Sequence, residues 1–359
     1  MRSFVFAFFR ITGLIYLLRR INRDSVAILM LHGIMDEEVP SEWVPLRPQL
    51  SRKHFRLILR ILSSYYRFIE LEEAFGMVSG RLPFQPNRMV LTFDDGYRNQ
   101  LKHGLPILRE FNAPATIFLA TGHIDSRKPF WFDRLDYAIQ HAHIAGRRLQ
   151  AGNEIVQFHS HDRNDLRAAF KRLRDSAKKA RRPDGVMVQE MESLAESLEQ
   201  ESGRRLSDIC EQDDWSALLT WPEIRTAAAQ EAITFGSHTV DHTRIGCAEE
   251  DEIRRQLTLS KESIERQTDK ECRYFCFPSG SFSQVSLGVL KECGYEAAVT
   301  TQEGLNRRGQ NLFALNRISL PSSAGRADVL WQSLQLSMLK AALRMSPALG
   351  STTECLLGE

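Results

Sequence analysis

The chain has 359 residues, 43% of them hydrophobic and 26% charged, which is enough apolar material for one large core or two smaller ones and gives no sign of disorder. Forty-seven basic residues against 45 acidic ones leave a formal charge of +2, so no whole-molecule field points to nucleic acid, and none is expected as a partner. Six scattered cysteines lack the density of a disulfide framework and favour a reducing compartment; without a CxxC pair, Cys272 and Cys276 read as small buried residues.

The chain opens on MRSFVFAFFRITGLIYLLRRINRD. Arg10 interrupts the apolar stretch, which falls short of the roughly 20 residues of a membrane span, and no small-residue cleavage site follows. Residues 1–24 are therefore expected to form an amphipathic helix. Residues 1–23 would lie on the inner membrane face, with Arg19, Arg20 and Arg23 near anionic head groups, and the protein would be cytoplasmic, peripheral at that face. A terminal helix packed on the domain fits equally well, and a signal anchor is a further alternative.

Next comes AILMLHGI, a buried strand ending at His32. A histidine in that place is ordinarily a packed strand end. SRKHFRLILRILSSYYRFIELEEAF has helical spacing, with FIEL as a short strand; MVLTF is a strand, DDG a turn, LKHGLPILREF a helix and ATIFLA a strand. Residues 124–218 change to charged, helix-forming segments without strands, an inserted helical subdomain. Alternation resumes with the strand ITFGS, a helix over EEDEIRRQLTLSKESIERQT, the strand RYFCFP, the helix SQVSLGVLKECG, and strands near YEAAVTT and LNRISLP. Residues 25–123 and 219–325 thus read as an α/β domain, a complete or distorted (β/α) barrel, and residues 326–359 as a final helix and tail.

Asp94 and Asp95 end an apolar strand before Gly96, and two adjacent carboxylates there need a cation or donors to compensate them. GSHTVDH sets His238 and His242 four residues apart, a spacing that brings both onto one face of a helical turn. Two histidines and a carboxylate can ligate a divalent ion and leave positions open.

TFDDGY, HTVDH and FCFPSG, in that order on α/β segments, resemble the polysaccharide deacetylase family, also called the NodB homology domain or carbohydrate esterase family four. The resemblance covers about residues 26–123 and 219–322. It implies a distorted (β/α) barrel and a metal-dependent hydrolase that removes acetyl from an N-acetylated sugar of a surface polysaccharide or a lipid-linked glycan. Carried over by motif, Asp94 would be the general base and Asp95, His238 and His242 the metal ligands, with zinc the expected ion. Such an ion lowers the pKa of bound water to about 7 and polarises a carbonyl. The Tyr97 backbone N–H is a candidate donor to the developing oxyanion.

Two departures matter. Many members carry an arginine two residues before the motif proline; here Cys276 precedes Pro278, and Arg317 is preferred over Arg273 as its replacement. Ser279 follows that proline in place of the usual aromatic. Members also carry a late histidine that protonates the departing amine, and no histidine follows His242. A branch with permuted motif order has an early strand ending in histidine, as AILMLHGI does, which makes His32 the candidate acid.

Phe277, Pro278, Trp131 and Asp133 are candidate substrate contacts, with Phe132, Trp215 and Trp221 as further stacking candidates; packing of the insertion on the barrel would account for most of the aromatics. Other readings are an amide or ester hydrolase at the same metal site and a catalytically silent glycan-binding module.

Overall fold

The computed structural model describes residues 23–320, apart from positions 37, 39, 40, 48, 180–182, 230 and 231. The amphipathic-helix expectation for the amino terminus and the final helix near residues 328–345 lie outside the described residues. No helix among the described residues is long and apolar enough to cross a membrane.

In chain order, β1 (Ala27–Leu31), β2 (Ile34–Met35) and β3 (Leu50–Ser51) precede α1 (Arg52–Ser63), β4 (Arg67–Phe68), α2 (Leu71–Ser79) and β5 (Arg88–Phe93). A wide helical turn at Gln100–Gly104 runs into α3 (Leu105–Glu110), then β6 (Ala115–Leu119) and α4 (Thr121–Ser126). The insertion holds α5 (Trp131–His141), β7 (Arg148–Ala151), β8 (Glu154–Gln157), α6 (Arg163–Lys179) and α7 (Asp184–Ser202). The barrel resumes with α8 (Trp221–Ala228), β9 (Ile233–Ser237), α9 (Glu250–Thr268), β10 (Tyr274–Cys276), α10 (Gln284–Glu292), β11 (Ala297–Glu303) and β12 (Leu315–Ser319).

Parallel strands run in the order β1, β12, β11, β10, β9, β6, β5, and β5 pairs back onto β1, so seven strands close a ring, with β4 added at the start of β5. Closure rests on a five-residue register from Ala27↔Met89 to Leu31↔Phe93. Side chains alternate across each strand. Ile28, Val90, Phe118, Cys276, Val299 and Leu315 cluster on the inner face, while Leu29, Leu91, Ile117, Phe235 and Phe275 pack outward beneath Phe55 of α1 and Ile253 and Leu257 of α9. The α/β barrel read from the alternating pattern is the architecture found.

Two local expectations need correction. FIEL contributes only Phe68 to β4, which Arg67 begins, because Leu71 already begins α2. The insertion is not purely helical: β7 and β8 form an antiparallel hairpin across Gly152 and Asn153, with Leu149 opposite Val156. A two-residue Gly-Asn connection with Gly152 at φ +59° is a hairpin signal in its own right. Leu135 and Ile139 of α5, Phe170 and Leu173 of α6, and Met191 and Leu198 of α7 form the insertion's own core.

Candidate active site

Strand register brings the chemistry together. Asp94 follows β5 and His32 follows β1; the Asp94 N–H donates to the Leu31 carbonyl at 3.0 Å, so the two side chains leave adjacent strands at one end of the barrel. Gln100 locks the pair, its Nε2 donating to the His32 carbonyl at 2.6 Å and the Asp94 carbonyl at 2.5 Å. His32 itself is exposed, while Asp94 and Asp95 are buried.

Asp94 is held by Arg317. Nη1 reaches Oδ1 and Nη2 reaches Oδ2, each at 2.7 Å, the parallel fork that an arginine makes with a carboxylate. Arg317 is anchored in turn by the Thr300 carbonyl at 2.8 Å, the Thr92 hydroxyl at 3.1 Å and Cys276 Sγ at 3.1 Å. Burial alone would raise the Asp94 pKa; the Arg317 charge and hydrogen bonds outweigh it and lower it.

Asp95, His238 and His242 form the second cluster. Asp95 Oδ1 lies 3.5 Å from His238 Nε2 and 3.4 Å from His242 Nε2. The His238 Nδ1–H donates to the Cys276 carbonyl at 2.7 Å; a carbonyl only accepts, so Nε2 is left as the free lone pair facing Asp95. Burial would raise the Asp95 pKa, yet the two imidazoles hold it well below the usual carboxylate range. Burial draws His242 down to about 4, with Asp95 opposing. Three ligand atoms lying within 4.8 Å of one another suit one divalent ion with open positions. Asp94, His238 and Cys276 also approach one another, but Arg317 occupies both Asp94 oxygens and burial keeps the Cys276 thiol protonated.

HTVDH does not form a helical turn. Residues 238–243 are a loop in which Thr239 (φ +67°) and His242 (φ +54°) take the left-handed conformation, as does Asp95 (φ +78°). Backbone strain concentrated at three site positions is paid for by surrounding contacts. Gln256 Oε1 of α9 accepts from the Val240 and Asp241 N–H groups at 2.8 and 3.1 Å. Thr121 and Gly122 of α4 donate to the Thr239 and Val240 carbonyls at 3.1 and 2.8 Å.

The profile of the family described as Polysaccharide deacetylase matches residues 82–210 and 209–298, more than half of the chain. The chain belongs to the polysaccharide deacetylase family. It is 27% identical over 100 residues, 28% of this chain and 36% of the relative, to YxkH of Bacillus subtilis (strain 168), named for polysaccharide deacetylation. It is 21% identical over 281 residues to the poly-beta-1,6-N-acetyl-D-glucosamine N-deacetylase of Escherichia coli (strain K12), covering 78% of this chain and 34% of that one. The chain thus spans about a third of the length of these relatives. The fold is similar to that of the Streptococcus pyogenes deacetylase PplD in complex with acetate, with a TM-score of 0.55 at 18% identity, covering 86% of this chain and 97% of that one.

Some expected substrate contacts of this family member are used otherwise. Phe277 has no exposed surface and packs against Phe275 and Phe282 between barrel and helices, and Pro278 is buried beside it. Asp133 is also buried: its carboxylate accepts from Tyr97 Oη at 2.5 Å and from Arg47, so it has no face for a sugar hydroxyl. Trp131 belongs to the insertion's core, and Trp221 donates to Asp125 at 2.6 Å. Phe130 and Phe132 do face the site, stacked on each other at 5.1 Å and edge-on to His242 at 5.3 and 5.5 Å.

Arg47, Gln100 and Gln256 were not singled out from the sequence. Arg47 donates to the Tyr97 hydroxyl at 2.9 Å and covers the Phe132 ring at 4.6 Å. It lies in an irregular segment with no periodic or motif signal. Gln100 and Gln256 are helical glutamines whose roles depend on which loops pass their ends.

Proposed function

We propose that this chain removes N-acetyl groups from an amino sugar of a surface polysaccharide or lipid-linked glycan, in the family branch with permuted motif order. What supports this most directly is the Leu31↔Phe93 register, which sets an exposed histidine beside a buried, arginine-held aspartate at one barrel mouth. Asp95, His238 and His242 would hold the metal ion, zinc by the chemistry of the set. Bound there, such an ion supplies Lewis acidity to the acetyl carbonyl and acidifies water.

The remaining steps fall to the chain. Asp94, kept ionised by Arg317, accepts the proton of the attacking water. The Tyr97 backbone N–H donates to the oxygen that becomes negative as the carbonyl carbon turns tetrahedral. His32 gives its proton to the sugar nitrogen as the C–N bond breaks, because an amide anion is a poor leaving group. Release of acetate and free amine restores both groups through solvent.

The test is acetate release from N-acetylglucosamine oligomers, with and without chelator, by wild type and His32→Gln. Loss of turnover in His32→Gln with metal content and melting temperature retained is expected. Undiminished turnover would remove His32 from the mechanism, and metal-independent binding without acetate would make the protein a glycan-binding module.

A further inference from the structure

The insertion places two cations over this mouth that form no ion pair with a carboxylate among the described residues. Arg174 and Lys178 stand four residues apart on α6, so they share one helix face, where like charges repel. Lys178 Nζ donates to Ser279 Oγ at 2.8 Å, on the loop that follows the Cys276 carbonyl bound by His238. Arg174 Nε is buried without a hydrogen-bond partner, and among the described residues Arg174 forms no ion pair. Its guanidinium carbon lies 5.8 Å from the centre of the Phe170 ring.

The surrounding acids are already engaged. Asp133 serves Arg47 and Tyr97; Asp136 accepts from the Leu46 N–H and Gln140; Asp184 holds Arg244; Asp175 pairs with Lys171. A buried guanidinium N–H without an acceptor is destabilising, and solvent does not reach this one. Arg174 as a whole is only half-buried, so an anion arriving at the mouth meets its outer guanidinium nitrogens, which have no acceptor among the described residues.

Resting on the deacetylase reading, we propose that Arg174 and Lys178 form an anion subsite that binds a phosphate or carboxylate carried by the acetylated sugar or by the saccharide next to it. Arg47, with its guanidinium over Phe132, borders the same space and adds to the positive field. Burial lowers the Lys178 pKa to about 7, with Arg174 and Arg244 adding to the shift. A bound anion would reverse that and fix the ammonium in its charged form. The subsite favours substrates with a charged neighbouring group over neutral oligomers.

The experiment compares kcat/KM for acetate release from N-acetylglucosamine 1-phosphate, a polyprenyl-phosphate-linked N-acetylglucosamine, a glucuronate-containing N-acetylated disaccharide and a neutral chito-oligomer. Wild type is expected to prefer at least one anionic saccharide by about tenfold or more, the scale of a charge-assisted hydrogen bond; which of them is preferred distinguishes phosphomonoester, lipid-linked phosphate and carboxylate. Arg174→Gln/Lys178→Gln should abolish the preference through a raised KM, and Arg174→Lys should restore part of it. Lys171→Gln, on the same helix, should leave it intact. Equal use of neutral and anionic saccharides by wild type, or a preference unchanged in the double variant, overturns the subsite. Should no saccharide release acetate, the deacetylase reading fails separately, and calorimetric binding of N-acetylglucosamine 1-phosphate decides the subsite: binding lost in the double variant supports it, and equal or absent binding overturns it.

Discussion

Asp94 and Arg317 meet fork to fork, two 2.7 Å contacts between the end of β5 and the middle of β12 inside a closed barrel. Both are buried, at 3% and 1% exposure, so removing one partner leaves the other's charge without compensation, a loss of about 3–5 kcal/mol. Arg317→Met should show that loss in urea unfolding, and Asp94→Asn/Arg317→Met should lose less than the sum of the single variants. The Asp94 pKa is lowered in the folded state, so the pair's contribution is present above the ordinary carboxylate pKa of 3.8 and disappears as acid carries the pH through the lower folded value. Additive losses in the double variant would mean the two groups are not coupled.

The metal set and the base separate experimentally. His238→Ala and Asp95→Asn should come through dialysis with little bound divalent ion, whereas Asp94→Asn should keep wild-type metal content while losing turnover by orders of magnitude. Elemental analysis of the dialysed proteins makes the distinction. Full metal content in Asp95→Asn would remove that carboxylate from the ligand set.

Much of this arrangement was legible in the sequence because strands that end in polar motifs must open at one rim of a parallel barrel. TFDDGY and ITFGSHTVDH follow strands and converge for that reason. Arg317 was legible only as a preference, since its partner is 223 positions away and nothing local indicates the pairing. Spacing misled at His238 and His242, where four residues suggested a helical turn; left-handed Thr239 and His242 turn the loop instead. Phe277 looked like a groove aromatic beside the motif proline, but strand alternation points it outward beneath the helices. The hairpin at Gly152 was missed because charged helical segments flank it.

Gly122 supports the histidine loop through close backbone contact. A Cβ there would lie 2.8 Å from Val240 Cγ1 and 3.0 Å from the Val240 carbonyl oxygen, an oxygen already accepting the Gly122 N–H. Gly122→Ala should therefore destabilise by about 1–3 kcal/mol and weaken metal binding through displacement of His242. Gly185→Ala in α7, where a Cβ would meet nothing within 4 Å, should be neutral or stabilising by up to about 1 kcal/mol. Thermal melts with and without added zinc read both effects; equal behaviour of the two alanine variants would show that the 122–240 contact does not shape the site.

Asp136 gives the insertion a pH dependence whose sign can be worked out. Its side chain is fully buried, accepting from the Leu46 N–H at 2.8 Å and from Gln140 at 2.7 Å. Burial raises its pKa from 3.8 to about 7 against those two hydrogen bonds. Between these values the folded state holds a proton that the unfolded chain releases, so stability falls as pH rises through the window. Asn keeps a carbonyl to accept the Leu46 N–H and does not ionise. Asp136→Asn should thus gain in melting temperature relative to wild type as the pH rises from about 5 to about 8, with roughly 1.4 kcal/mol for each unit of the shift that is realised. Each kcal/mol corresponds to about 2–4 °C for a chain of this order of size. Parallel melting-temperature profiles for the two proteins across that range would place the Asp136 pKa at its ordinary value and remove this carboxyl as the source of the dependence.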